Sequence, residues 1–153
     1  ILHIFRERPD INAVIHTHQP YATAVSLIPE LTEFRVCITA LANAAGGNVP
    51  ITPYSAAGSV DMGIDTVKYV GDGHAVILSQ HGVMTVGKDL DQAMYAAVYL
   101  EEAAKCYLAA RAACVGGVTK EMSDAQIQQM VDVFKYYGQG TAKIPEDMVK
   151  RIK

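Results

Sequence analysis

The chain has 153 residues, half of them hydrophobic and 19% charged, a balance that suits one globular domain with its own core over residues 1–153. Lys and Arg number 13 against 16 Asp and Glu, a formal charge of -3 with the basic residues scattered, so there is no field to draw a polyanion and nucleic acid is not an expected partner. No apolar run approaches the ~18 to 20 residues that cross a bilayer and no signal-peptide pattern opens the chain, so a cytoplasmic protein without membrane attachment is expected.

Ile1 opens in what reads as the middle of a helix, with Leu2, Ile4 and Phe5 apolar among Arg6, Glu7 and Arg8. An upstream segment is therefore expected. Arg8-Pro9-Asp10 is a stop and a turn, and Ile11 to Ile15 reads as a buried strand. Pro20 to Ile28 predicts a short helix ended by Pro29, followed by a less regular stretch to Pro53. Ser59 to Val70 is a further helix, closed by Gly71-Asp-Gly73. Ala75 to Leu78 and Val83 to Val86 are strands joined by the turn Ser79-Gln-His-Gly82. Asp89 with Gln92 has the form of a capping box before Leu90 to Ala113, the longest helix, which Gly116-Gly117 stops. Ser123 with Gln126 caps a last helix running to about Tyr137. Three cysteines, Cys37, Cys106 and Cys114, argue against a disulfide framework. The latter two would stand about 12 Å apart on one helix, too far for a bridge.

The first strand ends at His16-Thr17-His18. Alternate residues of a strand share a face, so these two imidazoles project together, about 6.5 to 7 Å apart along the chain. His81 also sits where a strand meets a turn, and adjacent strands would bring it to the pair. A catalytic zinc commonly takes three protein ligands and leaves one position open, and histidine is its most frequent donor. Composition and spacing alone leave an ordinary surface pair equally open. His74 reads as a solvated turn residue, His3 as structural, Glu101 and Glu102 as a solvated helix face, and Tyr95, Tyr99 and Tyr107 as packing groups.

Taken together, Arg8-Pro-Asp-Ile-Asn-Ala-Val-Ile-His-Thr-His18, Ala22-Thr-Ala-Val-Ser26, Ala44-Ala-Gly-Gly-Asn48 with Pro50 to Gly58, and Gln80-His-Gly82 through the long helix resemble the class II aldolase and adducin family, and within it the L-fuculose-phosphate aldolase group. The resemblance covers roughly residues 1 to 140. It implies an α/β fold, three layers α/β/α with a mainly antiparallel central sheet, of which the N-terminal part is missing here. It further implies a homotetramer with sites between subunits, and His16, His18 and His81 as ligands of a zinc ion. The implied reaction cleaves L-fuculose 1-phosphate, or a close deoxyketose 1-phosphate, to dihydroxyacetone phosphate and an aldehyde such as L-lactaldehyde. Tyr137, in Phe134-Lys-Tyr-Tyr-Gly138, matches the family's tyrosine at the aldehyde oxygen; the alternative is a helix-end packing residue.

Two departures qualify the likeness. The family's acid/base glutamate and phosphate-holding loops match segments upstream of Ile1. Residues 22 to 53 hold no tyrosine, and Ala56-Ala57 stands at an aromatic position, which leaves the aldehyde open. An L-ribulose-5-phosphate 4-epimerase would need an aspartate-bearing segment where this chain has Leu41-Ala-Asn-Ala-Ala-Gly-Gly47. A methylthioribulose-1-phosphate dehydratase and a noncatalytic adducin-like module are the other readings on the same scaffold, the last disfavoured by retention of all three histidines.

Overall fold

The computed structural model describes residues 1–134. Tyr137 lies outside the described residues. In chain order the elements are α1 (Leu2–Glu7), β1 (Ala13–Thr17), α2 (Pro20–Val25), β2 (Glu33–Phe34), α3 (Thr39–Ala45), β3 (Val49–Pro50), α4 (Val60–Val70), β4 (Ala75–Leu78), β5 (Gly82–Gly87), α5 (Leu90–Ala113), a 3-10 turn (Val115–Gly117) and α6 (Asp124–Phe134).

The main sheet is antiparallel, in the order β1-β5-β4. β5 is central and buried along its whole length, Thr85 included, which is why Gly82 to Gly87 does not alternate between apolar and charged residues. β2 and β3 form a separate ribbon that meets β4 through a parallel bridge between Ile51 and Ile77. The pleat divides the apolar residues between two cores. Val76 and Leu78 of β4 with Met84 and Val86 of β5 pack against Ile4, Ile11 and Val70, on the side of α1 and α4. Ala75, Ile77 and Val83 face the other way, into a larger core with Val25, Leu41, Leu100 and Ala104 from α2, α3 and α5. Helices thus cover both faces of an antiparallel sheet, the α/β/α layering the resemblance implies.

α5 is the spine of the second face. Its buried residues, Ala93, Ala96, Ala97, Leu100, Ala103, Ala104 and Tyr107, recur at helical spacing, and the alanines let the helix lie close against the sheet. At 24 residues it runs about 36 Å. Its start is pinned twice: Asp89 accepts from Gln92 N at 2.8 Å, and buried Thr85 donates to the Ala93 carbonyl at 2.9 Å. The chain enters it through Gly87, where a Cβ would stand 2.7 Å from Ala93 N, so only glycine fits.

Three expectations change. β1 runs from Ala13 to Thr17 rather than from Ile11, because Ile11 N donates to Arg8 O in the preceding turn while its side chain alone enters the core. His16 therefore lies inside the strand, paired with Met84. α2 stops at Val25, where Ser26 turns back to the Thr23 carbonyl through both its N–H and its hydroxyl. The irregular stretch contains α3, which has no side-chain cap and is held by burial of Leu41, Ala42, Ala44 and Ala45 before Gly46 ends it at φ +79°. A seven-residue segment of that kind is helical only because of what it packs on. No described helix is long and apolar enough to cross a membrane.

Candidate metal centre

The register of β1 on β5 builds the site. Thr17, the last strand residue, pairs with Val83, and His18 lies just past it beside the β4–β5 turn. That turn is tight: His81 N donates to Leu78 O at 3.1 Å, and Gln80 takes φ +58°, a left-handed conformation unusual for a residue with a side chain. Ser26 Oγ accepts from Gln80 N at 3.0 Å, and Thr52 Oγ1 from Ser79 N at 3.3 Å, so both flanking elements hold the turn in shape. Its apex brings His81 back over the end of β1.

The three imidazoles meet there. Ring centroids are 5.0 Å apart for His16 and His18, 5.0 Å for His16 and His81, and 4.9 Å for His18 and His81. One nitrogen from each lies within 4.8 Å of the others, and among the described residues no Cys, Asp or Glu joins the group. Nδ1 of His16 is 2.9 Å from the Val83 carbonyl. A carbonyl only accepts, so Nδ1 carries the proton and Nε2 is left with its lone pair toward the other rings. Burial, and then the proximity of His16 and His18, push the pKa of His81 down and favour its neutral form. Three converging imidazoles, two of them exposed, fit a divalent ion with a position left open.

The packing around the histidines is close. A Cβ on Gly82 would stand 2.5 Å from Thr17 O, 3.1 Å from His18 Cδ2 and 3.2 Å from His18 Cα. The sequence pattern marks Gly82 only as a turn residue; its role is to let His81 and His18 approach. The α2 end of the site was also hidden. Glu101, expected on a solvated face, is half-buried, and its carboxylate accepts from Tyr21 N at 3.0 Å and Ala22 N at 2.9 Å. Gln19 Nε2 donates to the Ala97 carbonyl at 2.8 Å. The signal for both was a helix opening at Pro20 behind Gln19, a poor cap, which leaves first-turn amides in need of an outside acceptor.

The other candidates lie elsewhere. His74 is half-buried rather than solvated: its N–H donates to Ala45 O, its carbonyl accepts from Val86 N, and burial lowers its pKa. His3 lies beside Gly63 of α4. Tyr107 is buried against Phe34, with ring centroids 5.3 Å apart, and Tyr95 packs on Tyr99 at 4.6 Å, as packing groups would.

Comparison with known proteins bears on this arrangement. Residues 2–108 match the family described as the class II aldolase and adducin N-terminal domain. L-fuculose phosphate aldolase of Escherichia coli K12 is 31% identical over 135 residues, 88% of this chain and 60% of the relative. A 5-deoxy-D-ribulose 1-phosphate aldolase of Bacillus thuringiensis serovar kurstaki is 31% identical over 136 residues, covering 88% and 61%. A solved L-fuculose 1-phosphate aldolase superposes with a TM-score of 0.80 at 27% identity, over 88% of this chain and 61% of that one. The chain thus spans about 60% of the length of the curated relatives it matches. With the match covering the strand, the turn and most of the long helix that set the three histidines, the chain belongs to the class II aldolase and adducin family.

Proposed function

We propose that this chain carries the metal site of a zinc-dependent aldolase that cleaves L-fuculose 1-phosphate, or a close deoxyketose 1-phosphate, to dihydroxyacetone phosphate and a short aldehyde such as L-lactaldehyde. The observation that carries the reading is the convergence of His16, His18 and His81 on one point, with the His16 proton directed away from it. His16, His18 and His81 would hold the divalent ion, which when bound would supply Lewis acidity where negative charge develops on the phosphate-bearing half as the C3–C4 bond breaks. The chain's own part is to fix the donors. Val83 O orients His16, the Gln80 turn aims His81, and close approach at Gly82 sets His18 beside it. Tyr137 is proposed as the proton donor and acceptor at the aldehyde oxygen, by its match to the family tyrosine.

The equal identity to a 5-deoxy-D-ribulose 1-phosphate aldolase supports a second substrate within the same chemistry, since a ketose 1-phosphate cut between C3 and C4 yields dihydroxyacetone phosphate whatever the aldehyde. A homotetramer with sites between subunits and a role in fucose degradation belong to the same proposal. So does a cytoplasmic location, which the free state of Cys37, Cys106 and Cys114 supports. The test is dihydroxyacetone phosphate release by the intact protein from each ester, with and without chelator, in wild type and His81→Ala. Chelator-sensitive release that His81→Ala abolishes along with zinc retention is expected. Undiminished turnover by metal-free His81→Ala protein overturns the reading.

A further inference from the structure

We propose that Glu101 of α5 is the positioning residue of the His18 ligand, setting metal affinity without touching the metal. This rests on the three histidines holding a divalent ion. His16 is inside β1 and its ring is hydrogen-bonded to β5; His81 is in a turn braced by Ser26 and Thr52. His18 has neither support. Strand pairing ends one residue before it, at Thr17 and Val83.

Gly82 packs against His18 on the β5 side, and the element that follows His18 along the chain is α2. Pro20 has no N–H to offer, and Gln19 makes no side-chain cap. The next two amides, of Tyr21 and Ala22, both donate to Glu101, one to each carboxylate oxygen. One turn back along the same face of α5, the Ala97 carbonyl takes the Gln19 amide. Residues 19 to 22 are thus latched to α5 at two points, directly behind His18. α5 is in turn fastened to β5 by the Thr85 hydroxyl on Ala93 O. β5 carries the Val83 carbonyl that orients His16, and opens at Gly82 next to His81. One rigid frame then reaches all three ligands, and Glu101 is the link through which it reaches His18.

Without Glu101, two first-turn amides lose their acceptor and α2, only six residues long, has no other cap to replace it. The segment from His18 to Ala22 would then sample several positions, and a ligand that must be re-ordered on each binding event binds more weakly. Loss of a partner that orients a ligand typically costs ~10 to 100-fold in metal affinity.

The experiment measures Zn2+ dissociation constants by competition with a chromophoric chelator, and the visible absorption of the Co2+ form, for wild type, Glu101→Gln and Glu101→Ala. Glu102→Gln, an exposed neighbour with the same charge change, controls for the lost negative charge. Arg111→Ala, which removes the bonds of Arg111 to Glu30 and to Tyr107 at the far end of α5, controls for loss of stability alone. The Glu101 variants are expected to bind Zn2+ at least tenfold more weakly and to show an altered Co2+ spectrum, while both controls keep wild-type affinity and spectrum. Glu101→Gln retains one acceptor oxygen and decides the matter if the alanine variant does not fold. Zn2+ affinity within twofold of wild type in the Glu101 variants, with an unchanged Co2+ spectrum, overturns the positioning role and leaves the metal site standing. Equal weakening in Glu102→Gln reduces the effect to charge and also overturns it. A wild type that binds neither ion removes the metal reading itself.

Discussion

Replacing Gly82 by alanine separates the geometry of the metal centre from its composition, because no ligand changes. The added Cβ would stand 2.5 Å from the Thr17 carbonyl oxygen, whereas such atoms essentially never come closer than 3.0 Å to a heavy atom. The obstacle is backbone, so it cannot swing aside like a side chain. The end of β1 must retreat from β5 by at least 0.5 Å, the difference between those two distances, and His18 Cα, 3.2 Å from the same point, moves with it. Overpacking of this kind costs about 1 to 3 kcal/mol. For a domain of this size that is a Tm lower by about 2 to 12 °C. Zinc affinity should fall at least tenfold, since His18 moves relative to His81. Differential scanning calorimetry of the metal-free protein reads the first effect and chelator competition reads the second. A Tm within 1 °C of wild type with zinc affinity within twofold would refute the claim that contact at Gly82 sets the spacing.

Gly63, inside α4, offers the opposite case: its added Cβ meets only the His3 ring, Cδ2 at 3.4 Å and Nε2 at 3.8 Å, so Gly63→Ala should stabilise by about 0.5 to 1 kcal/mol through helix propensity, read as a higher urea midpoint. Asp10 accepts from Arg8 at 2.6 Å, and that bond holds its pKa down to about 2 against an ordinary 3.8. A depressed carboxylate contributes stability above its unfolded pKa that is lost as pH falls through the folded one. Asp10→Asn should therefore lower stability at neutral pH and flatten its decline between pH 4 and 2; an unchanged slope in urea midpoints across that window would count against the pair. Burial pushes the Cys37 thiol up to about 11, so iodoacetamide at pH 8 should label exposed Cys106 and Cys114 well before Cys37, as mass spectrometry of timed samples would show.

Legibility followed how local the cause was. α5 shows in the sequence to the residue, Leu90 to Ala113, because its cap and its alanine-rich content are contiguous signals. The box at Ser123 and Gln126 likewise forms reciprocal bonds at 3.3 and 2.9 Å. The β4–β5 hairpin was visible as two apolar runs around a turn. By contrast α3 has no cap, and β2 and β3 have two residues each, too few to show a period. Glu101 looked solvated because its partners, Tyr21 and Ala22, lie about 80 positions away.

The sequence by itself set the expectation that His16 and His18 share a face, by strand alternation, and that His81 follows a neighbouring apolar run. By likeness of motif it also implied that His16, His18 and His81 form a three-histidine set. Only the tertiary structure decided that β5 pairs with β1 in the register placing Thr17 against Val83, which brings His81 over His18 and leaves no room for a side chain at Gly82. Register and helix docking depend on every residue buried between the layers. No window of sequence contains those contacts, so the assembled core alone sets the distances on which the site depends.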